Sequence, residues 1–228
     1  MTLTPNRHLA LFDLDGTLIE HDSDYAFCRF MVEVGWADGD ESQRRNDEFF
    51  AQYQRGELDL KAYVDFATSA WRARPFPEAL AMRERFMAEV LRPMLRDSAM
   101  SLVRRHQEAG DLVAMVTATN EFVTVPIAAA FGVEHLIAVR LERDATGAYT
   151  GRINGLPSFR EGKIGRVHEW LAAQQRQWAD FERISFYSDS TNDLPLLEQV
   201  SHPVATNPSP ALEAIAAARG WPVLRLFT

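Results

Sequence analysis

Three short apolar segments of this chain are each followed at once by a cluster of polar residues. They occupy positions 9–12, 112–116 and 183–187. Short apolar runs of this kind are typical of parallel strands that are buried on both faces of a sheet. Segments with helical periodicity separate them, and strands that alternate with helices favour an α/β fold, a parallel sheet with helices on both faces.

The stretch between the first two of these segments has a different pattern. From about Asp22 to Leu91 it contains no strand-like run, only apolar stripes at helical spacing that glycines and prolines interrupt. We therefore predict an all-helical domain at 21–92. It is expected to be inserted after the first strand of a core domain that is formed by 1–20 and 93–228.

Turn and capping residues predict the ends of several elements in the second half of the chain. Ser98 is expected to cap a helix that ends at Gly110. The segments 136–141 and 148–153 are expected to form two strands around a turn at 144–147.

The amino-acid composition limits which classes of molecule the protein is expected to bind. The 228 residues are 46% hydrophobic, which is enough for a packed core, and their formal net charge at pH 7 is −8. An acidic chain lacks the positive field that nucleic acids and anionic membranes attract, so neither is expected as a partner. A small anionic substrate remains compatible, because a bound metal ion can invert the field locally.

The number of cysteines and the residues at the start of the chain indicate the cellular compartment. Cys28 is the one cysteine, so no intrachain disulfide can form, and a reducing compartment is expected. The polar residues 1–8 include Pro5 and are not typical of a secretory signal peptide. No apolar run approaches the roughly 18 residues that a membrane span requires. We therefore expect a cytoplasmic protein.

The polar residues after the apolar segments form the candidate site. In an open parallel sheet the carboxyl ends of the strands line one crevice, so side chains that are distant in sequence can meet there. The residues expected to converge are Asp13, Asp15, Thr117, Asp189 and Asp193. Packed carboxylates repel one another, and a hard divalent cation such as Mg²⁺ relieves this repulsion.

The acids at positions 13, 15 and 189 are expected to meet around one such cation. Asp13 and Asp189 would be side-chain ligands, whereas Asp15 would supply its backbone carbonyl and keep its side chain free. The carboxylate of Asp13 can attack phosphorus to form an acyl phosphate, and Asp15 is placed to act as general acid and base. The Thr117 hydroxyl and Lys163 are expected to hold phosphoryl oxygens.

Four elements of the sequence resemble, in order, the four motifs of the haloacid dehalogenase-like superfamily. They are 12–18 (FDLDGTL), Thr117, Lys163 and 187–193 (YSDSTND). The helical insertion after the first motif is similar to the phosphoserine-phosphatase-like branch of that superfamily, subfamily IB. This resemblance implies a Rossmann-like core, a helical cap, a magnesium ion and an aspartyl-phosphate intermediate.

The resemblance also implies roles for individual residues. Asp13 would be the nucleophile and Asp15 the general acid and base, with Thr117 and Lys163 as phosphate ligands. Asp189 would bind the metal. Asp193 would orient Lys163 or the waters on the metal, with Ser190 in support.

Departures from the phosphoserine-phosphatase pattern bear on the substrate. The second motif is 117–120 (TATN) in place of Ser-Gly-Gly, and 63–66 (YVDF) stands where the family has an arginine that grips a carboxylate. Asp22 keeps the acidic position that meets the amino group of the substrate in that family, with Asp24 beside it. A cationic substrate without a carboxylate is therefore favoured, as in histidinol-phosphatases of a similar type.

Other residues and other activities compete with this interpretation. Thr119, Asn120 and Asn192 are further candidates for substrate binding, although helix capping explains Asp22 and Asn192 equally well. The aromatic residues that have no assigned role are expected to lie in the hydrophobic core.

The alternative activities are a phosphoserine phosphatase, a phosphotransferase or mutase, and a non-catalytic module that binds a phosphorylated metabolite. The sequence leaves the oligomeric state open.

Overall fold

The structure is a computed structural model that describes residues 7–227. The polar start of the chain, including Pro5, lies outside the described residues. The first strand, β1 (His8–Phe12), is followed by four helices. These are α1 (Ser23–Glu33), α2 (Gly39–Arg55), α3 (Leu60–Arg72) and α4 (Phe76–Phe86). A π-helical turn at Met87–Leu91 and a 3₁₀ turn at Arg92–Met94 then lead back to the sheet.

The second half alternates helices and strands. Its first part contains α5 (Asp97–Glu108), β2 (Leu112–Asn120), α6 (Glu121–Ala130), β3 (His135–Val139), β4 (Leu141–Arg143) and β5 (Tyr149–Ile153). Its second part contains α7 (Glu161–Ala173), β6 (Arg183–Ser188), α8 (Leu194–Leu197), β7 (His202–Thr206), α9 (Pro210–Arg219) and β8 (Val223–Leu224). A 3₁₀ turn at Thr191–Asp193 precedes α8.

Six strands form one parallel sheet in the order β3-β2-β1-β6-β7-β8. Phe12 at the end of β1 is paired with Met115 of β2 and Tyr187 of β6, so the carboxyl ends of these three strands lie side by side. Neighbouring residues of β1 pack into different apolar clusters, Phe12 on one face and Leu11 on the other. The predicted α/β fold is confirmed.

The helical insertion lies between β1 and α5, and α1 packs against α2, α3 and α6. Capping residues explain its boundaries. Aspartates cap the first three helices at Asp22, Asp38 and Asp59, and Gly56 ends α2 with φ +70°. Trp71 stacks on Phe122 with ring centroids 4.0 Å apart, which attaches the insertion to the core. The division into domains at 21–92 and 93–228 stays a prediction.

Two boundary predictions were wrong. The segment 136–141 is not one strand: β3 ends at Val139 in the large sheet, and β4 begins at Leu141 and pairs antiparallel with β5. Ser98 does not cap α5, because the helix begins one residue earlier with Arg96 at the cap position, and the Ser98 hydroxyl donates to the carbonyl of Leu226 (2.8 Å). The two-residue strand β8 was not predicted.

None of the helices within residues 7–227 combines the length and apolar character that crossing a bilayer requires.

Candidate active site

Asp13 lies immediately after β1, where the strand reaches the carboxyl edge of the sheet. Its backbone N–H still donates to the carbonyl of Tyr187 (2.9 Å), so the edge position is fixed by pairing with β6. Its side chain is only 4% exposed. The chain then turns at Gly16, whose φ is +74°. Asp13 therefore presents a fixed carboxylate at the crevice that the sequence predicted.

Lys163, in the first turn of α7, links two of the acids. Its Nζ lies 2.9 Å from Asp13 Oδ1 and 2.7 Å from the carboxylate of Asp193, which also accepts from the Ser188 hydroxyl (2.7 Å). Burial alone would lower the pKa of Lys163, but the charges of Asp13 and Asp193 raise it overall. The ammonium group therefore stays charged and holds both carboxylates in place.

Asp189 follows β6 and closes over the turn after β1. A Cβ on Gly16 would lie 2.3 Å from Asp189 Oδ2, so only glycine permits this approach. Thr17 donates its hydroxyl to Asp189 Oδ1 (3.3 Å). Burial and then the charges of Asp13 and Asp193 raise the pKa of Asp189 well above its usual value. The two acids that were expected to bind metal thus repel each other in a desolvated site.

The donor set of this site fits a hard divalent cation. The carboxylates of Asp13, Asp189 and Asp193 outnumber the single ammonium group of Lys163 that contacts two of them. Burial also raises the pKa of Asp13, against the opposing charge of Lys163. Oxygen donors with excess negative charge in a buried crevice are what Mg²⁺ binds in proteins.

The metal site formed by the side chains of Asp13 and Asp189 and the backbone carbonyl of Asp15 stays a prediction. Residues 7–227 contain no group of three or more His, Cys, Asp or Glu side chains arranged to hold a metal. The carboxylate of Asp15 accepts from the Ser23 N–H (2.6 Å) and the Thr119 hydroxyl (2.8 Å), which agrees with a role separate from metal binding. Asp13 and Asp189 remain as side-chain donors, with the backbone carbonyl of Asp15 as the predicted third.

The hydrogen bonds of Asp15 orient its carboxylate toward the same cavity that Asp13 lines. Burial and then the charge of Asp22 raise its pKa to about 6. The Thr117 hydroxyl lies 3.5 Å from Asp15 Oδ2 and accepts from the Thr119 N–H (3.1 Å). The end of β2 therefore brings Thr117 and Thr119 to the carboxylate of Asp15, and the three residues line one cavity with Asp13.

A partly open cavity with a free volume of about 30 Å³ lies beside these residues. Its catalytic end is formed by Asp13, Asp15, Asp22, Thr117, Ala118 and Thr119. The rest of its lining comes from the helical insertion: Tyr25, Asn46, Phe49, Phe50, Tyr53, Leu58, Leu60 and Tyr63. The prediction that the remaining aromatic residues are core was wrong for the five aromatic side chains here, which are half-buried and face the cavity. In the sequence, the helical spacing of these aromatic residues is equally typical of residues that pack in the hydrophobic core, so the spacing alone does not distinguish the two.

The structure assigns Asp22 and Asp24 to different surroundings. Asp22 caps α1 by accepting from the Tyr25 N–H (2.7 Å), and it also lines the cavity. Asp24 is 2% exposed and accepts from the side-chain amide of Asn120 (3.0 Å) outside the cavity lining. Capping and cavity lining therefore coexist at Asp22, whereas Asp24 is a buried partner of Asn120.

Two of the residues expected to bind substrate have other contacts. Asn120 is 1% exposed, and its amide caps α6 through the N–H groups of Phe122 and Val123 while its nitrogen bonds Asp24. That prediction was wrong because both ends of the amide are occupied. The amide nitrogen of Asn192 donates to the carbonyl of Tyr53 (3.1 Å), so it joins the core to α2 rather than facing the cavity.

Two residues with contacts around the site escaped the sequence analysis, and a third, Ser190, was named there in a supporting role. Asn207, with φ +45°, donates its side-chain amide to the carbonyls of Gly16 (3.1 Å) and Thr17 (3.0 Å) and so secures the turn after β1. The Arg160 guanidinium bonds the carbonyl of Gly56 at the end of α2. Ser190 caps the turn before α8 by accepting from the Asn192 N–H (3.1 Å). A single Asn or Arg in a loop gives no periodic signal in the sequence.

Known proteins that resemble this chain share both its sequence and its fold. A histidinol-phosphatase from Neisseria meningitidis serogroup C (strain 8013) is 41% identical over 218 residues, which cover 96% of this chain and 98% of that protein. The crystal structure of a protein of unknown function from Bordetella pertussis Tohama I is 52% identical, with a TM-score of 0.92 over 97% of this chain and 100% of that one.

More distant structures agree in fold. A substrate-bound phosphoserine phosphatase matches with a TM-score of 0.67 over 97% of this chain and 93% of that one, at 15% identity, which concerns the fold alone. The family model for haloacid dehalogenase-like hydrolases matches residues 10–198, which include the strand ends that carry Asp13, Thr117 and Asp189. This chain belongs to the haloacid dehalogenase-like hydrolase family.

Proposed function

We propose that this protein is a magnesium-dependent phosphatase that hydrolyses a small amine-bearing phosphomonoester through an aspartyl-phosphate on Asp13. The observation that carries the proposal is the position of Asp13, whose buried carboxylate is held 2.9 Å from Lys163, while the residue lines a partly open cavity. Asp15 lines the same cavity with a carboxylate that two hydrogen bonds orient. Histidinol phosphate is the leading candidate substrate.

The first step transfers the phosphoryl group to Asp13. A carboxylate oxygen of Asp13 forms a bond to phosphorus as the ester bond to the leaving alcohol breaks, and Asp15 gives its proton to the departing oxygen. Lys163 stabilises negative charge that spreads over the phosphoryl oxygens, together with the Thr117 hydroxyl. In the second step Asp15 takes a proton from water, whose oxygen attacks phosphorus and releases inorganic phosphate and the free Asp13 carboxylate.

The side chains of Asp13 and Asp189 would hold magnesium, with the backbone carbonyl of Asp15. When bound there, the ion supplies positive charge that neutralises the phosphoryl group and the acids around it. Gly16 permits the close approach of Asp189, and Asn207 secures the carbonyl of Gly16 from the other side.

Replacing Gly16 by alanine is expected to damage this arrangement. A Cβ 2.3 Å from Asp189 Oδ2 must displace that carboxylate, and a misplacement of this size can lower turnover by about 10²-fold. Gly35→Ala is the matched control, because Gly35 has a similar φ of +73° but nothing within 4 Å of its added Cβ. Steady-state kinetics against magnesium concentration should show a raised magnesium requirement for Gly16→Ala alone. Equal behaviour of the two variants would contradict the role of Asp189.

The cavity lining indicates the charge of the substrate. Among the described residues that line it there are three carboxylates, from Asp13, Asp15 and Asp22, and no Lys, Arg or His. A substrate carboxylate would meet no cation there, whereas an amine can pair with Asp22 and with the faces of aromatic rings. This lining supports histidinol phosphate over phosphoserine, and the 41% identical histidinol-phosphatase supports the same choice.

Replacing Asp22 by alanine should separate substrate recognition from helix capping. We expect the KM for histidinol phosphate to rise by about 10-fold or more, because the amine loses its charged partner, whereas the KM for p-nitrophenyl phosphate should change little. Asp38→Ala is the control, since Asp38 caps α2 in the same way but lies outside the cavity lining. Equal effects of Asp22→Ala on both substrates would assign Asp22 to capping alone.

The activity itself is tested by phosphate release from a panel of phosphomonoesters, with magnesium and with EDTA. Histidinol phosphate should be hydrolysed with the highest kcat/KM, and EDTA should abolish its hydrolysis. A preference for phosphoserine, or full activity in EDTA, would overturn the substrate or the metal assignment respectively.

A further inference from the structure

The far end of the cavity contains one buried polar group that the proposed chemistry does not use. Asn46 of α2 is 1% exposed and lines the cavity. Its Oδ1 atom has no hydrogen-bond partner among residues 7–227, although a buried acceptor without a partner is costly. Asn46 is thus a buried cavity residue with an unpaired acceptor atom.

The orientation of the Asn46 amide is fixed by its other end. Its Nδ2 donates to the backbone carbonyl of Tyr25 (3.1 Å). A carbonyl oxygen can only accept, so the amide nitrogen must face Tyr25 and the amide oxygen must take the other position of the amide. The unpaired Oδ1 is therefore a feature of the contacts around Asn46 and not an arbitrary choice between nitrogen and oxygen.

Helix α2 places this acceptor at a defined distance from the chemistry. Asn46, Phe49, Phe50 and Tyr53 share one helix face, and all four line the cavity. Tyr53 lies at the catalytic end, where burial and then the charges of Asp13, Asp193 and Asp189 raise its pKa well above its usual value. Seven residues of helix separate Asn46 from Tyr53, which is about 10 Å along the axis.

The surroundings of Asn46 indicate what its oxygen binds. Between the two ends of the cavity the lining is aromatic and aliphatic, with Phe49, Phe50 and Tyr63 among its members. Such walls suit a flat ring, because aromatic side chains stack on or meet the edge of another ring. An unpaired acceptor beside aromatic side chains complements a ring that carries a donor of its own.

We propose that Asn46 selects the far end of the substrate, its Oδ1 accepting a hydrogen bond from a ring N–H of a nitrogen heterocycle. The inference rests on the proposed function, because it assumes that the phosphate of the substrate is bound at Asp13. An imidazole ring meets this requirement, and a phenyl ring of similar shape does not. Asn46 is thus a specificity residue, distinct from Asp22, which faces the amine.

The test compares two substrates that differ at the ring. Histidinol phosphate and phenylalaninol phosphate carry the same amine and phosphate, but the second lacks the ring N–H. The wild type should prefer histidinol phosphate in kcat/KM by about 10- to 100-fold, because the other substrate leaves Oδ1 unpaired. In Asn46→Leu this preference should fall to about 1. Gln43→Leu, one turn earlier on α2 and outside the cavity lining, should keep the preference.

A second variant separates recognition from structure. Asn46→Asp keeps an oxygen acceptor but loses the donor to the Tyr25 carbonyl, so recognition predicts that it keeps most of the preference, and a purely structural role predicts that it behaves as Asn46→Leu. Thermal melts report folding, and Asn46→Ser, with a shorter side chain, replaces the leucine variant if that one does not fold.

The outcomes distinguish the two proposals. A wild type that hydrolyses histidinol phosphate with no preference over phenylalaninol phosphate overturns the role of Asn46 alone. So does a preference that survives in Asn46→Leu. A wild type that hydrolyses neither substrate but turns over another phosphomonoester overturns the substrate assignment, and the role of Asn46 with it.

Discussion

Asp13→Asn is expected to lower the turnover of histidinol phosphate by about 10⁴-fold or more, because an amide oxygen cannot replace the carboxylate that attacks phosphorus. The side chain keeps its shape, and its loss of charge removes repulsion from Asp189 and Asp193. The variant should therefore fold at least as stably as the wild type, which a thermal melt checks.

The control for this variant is Asp24→Asn, which also removes a buried carboxylate, but one that bonds Asn120 outside the cavity. It should retain turnover within about 10-fold, because an asparagine oxygen can still accept from Asn120. An introduced asparagine can deamidate slowly back to aspartate, so Asp13→Ala is tested as well, because alanine cannot regain the carboxylate. Substantial activity in a folded Asp13→Ala variant would contradict a covalent mechanism on this residue.

The second large effect concerns Asp15. In Asp15→Asn the leaving alcohol receives no proton and the attacking water loses its base, so turnover of histidinol phosphate should fall by about 10²- to 10⁴-fold. In the wild type the Ser23 N–H and the Thr119 hydroxyl donate to different carboxylate oxygens. In the variant the Ser23 N–H can still donate to the amide oxygen, and the Thr119 hydroxyl can rotate to accept from the amide nitrogen, so the side chain should keep its place.

p-Nitrophenyl phosphate distinguishes the two steps, because p-nitrophenolate departs without needing a proton. Asp15→Asn should release about one equivalent of p-nitrophenolate per site in a rapid burst and then turn over slowly, since only the hydrolysis of the acyl phosphate still needs the base. Unchanged turnover of histidinol phosphate would remove Asp15 from acid–base catalysis.

Much of the site followed from local sequence features. The apolar runs before Asp13, Thr117 and Asp189 are strands in the sheet, and their ends meet because parallel strands share one carboxyl edge. Lys163, 150 residues from Asp13, carries no periodic pattern of its own, and it was associated with the phosphate by its place near the start of a helix and by the resemblance to a known family.

The contacts that shape the cavity did not follow from the sequence. The face of α2 with Asn46, Phe49, Phe50 and Tyr53 has the spacing of an ordinary packing stripe, and only the path of the chain turns it toward a cavity. Asn207 reaches Gly16 across 191 positions of sequence. Such a bond between a side chain and a distant backbone depends on proximity in space, which neither periodicity nor capping rules encode.

The substrate cavity is thus built by two parts of the chain with different tasks. The strand ends supply the acids and hydroxyls that act on phosphorus, and α7 supplies Lys163. The helical insertion supplies the aromatic side chains, Asp22 and Asn46. Changes within α2 can therefore alter which phosphomonoester is hydrolysed while the carboxylates at positions 13, 15 and 189 stay in place.

Chemical trapping of the intermediate tests the central proposal most directly. Rapid acid quench during turnover of histidinol phosphate, followed by borohydride reduction, converts an aspartyl-phosphate to homoserine, which peptide mass spectrometry can locate. The proposed mechanism predicts homoserine at position 13, and none when substrate is omitted. Turnover without homoserine at position 13, or with homoserine at a different aspartate, would contradict it.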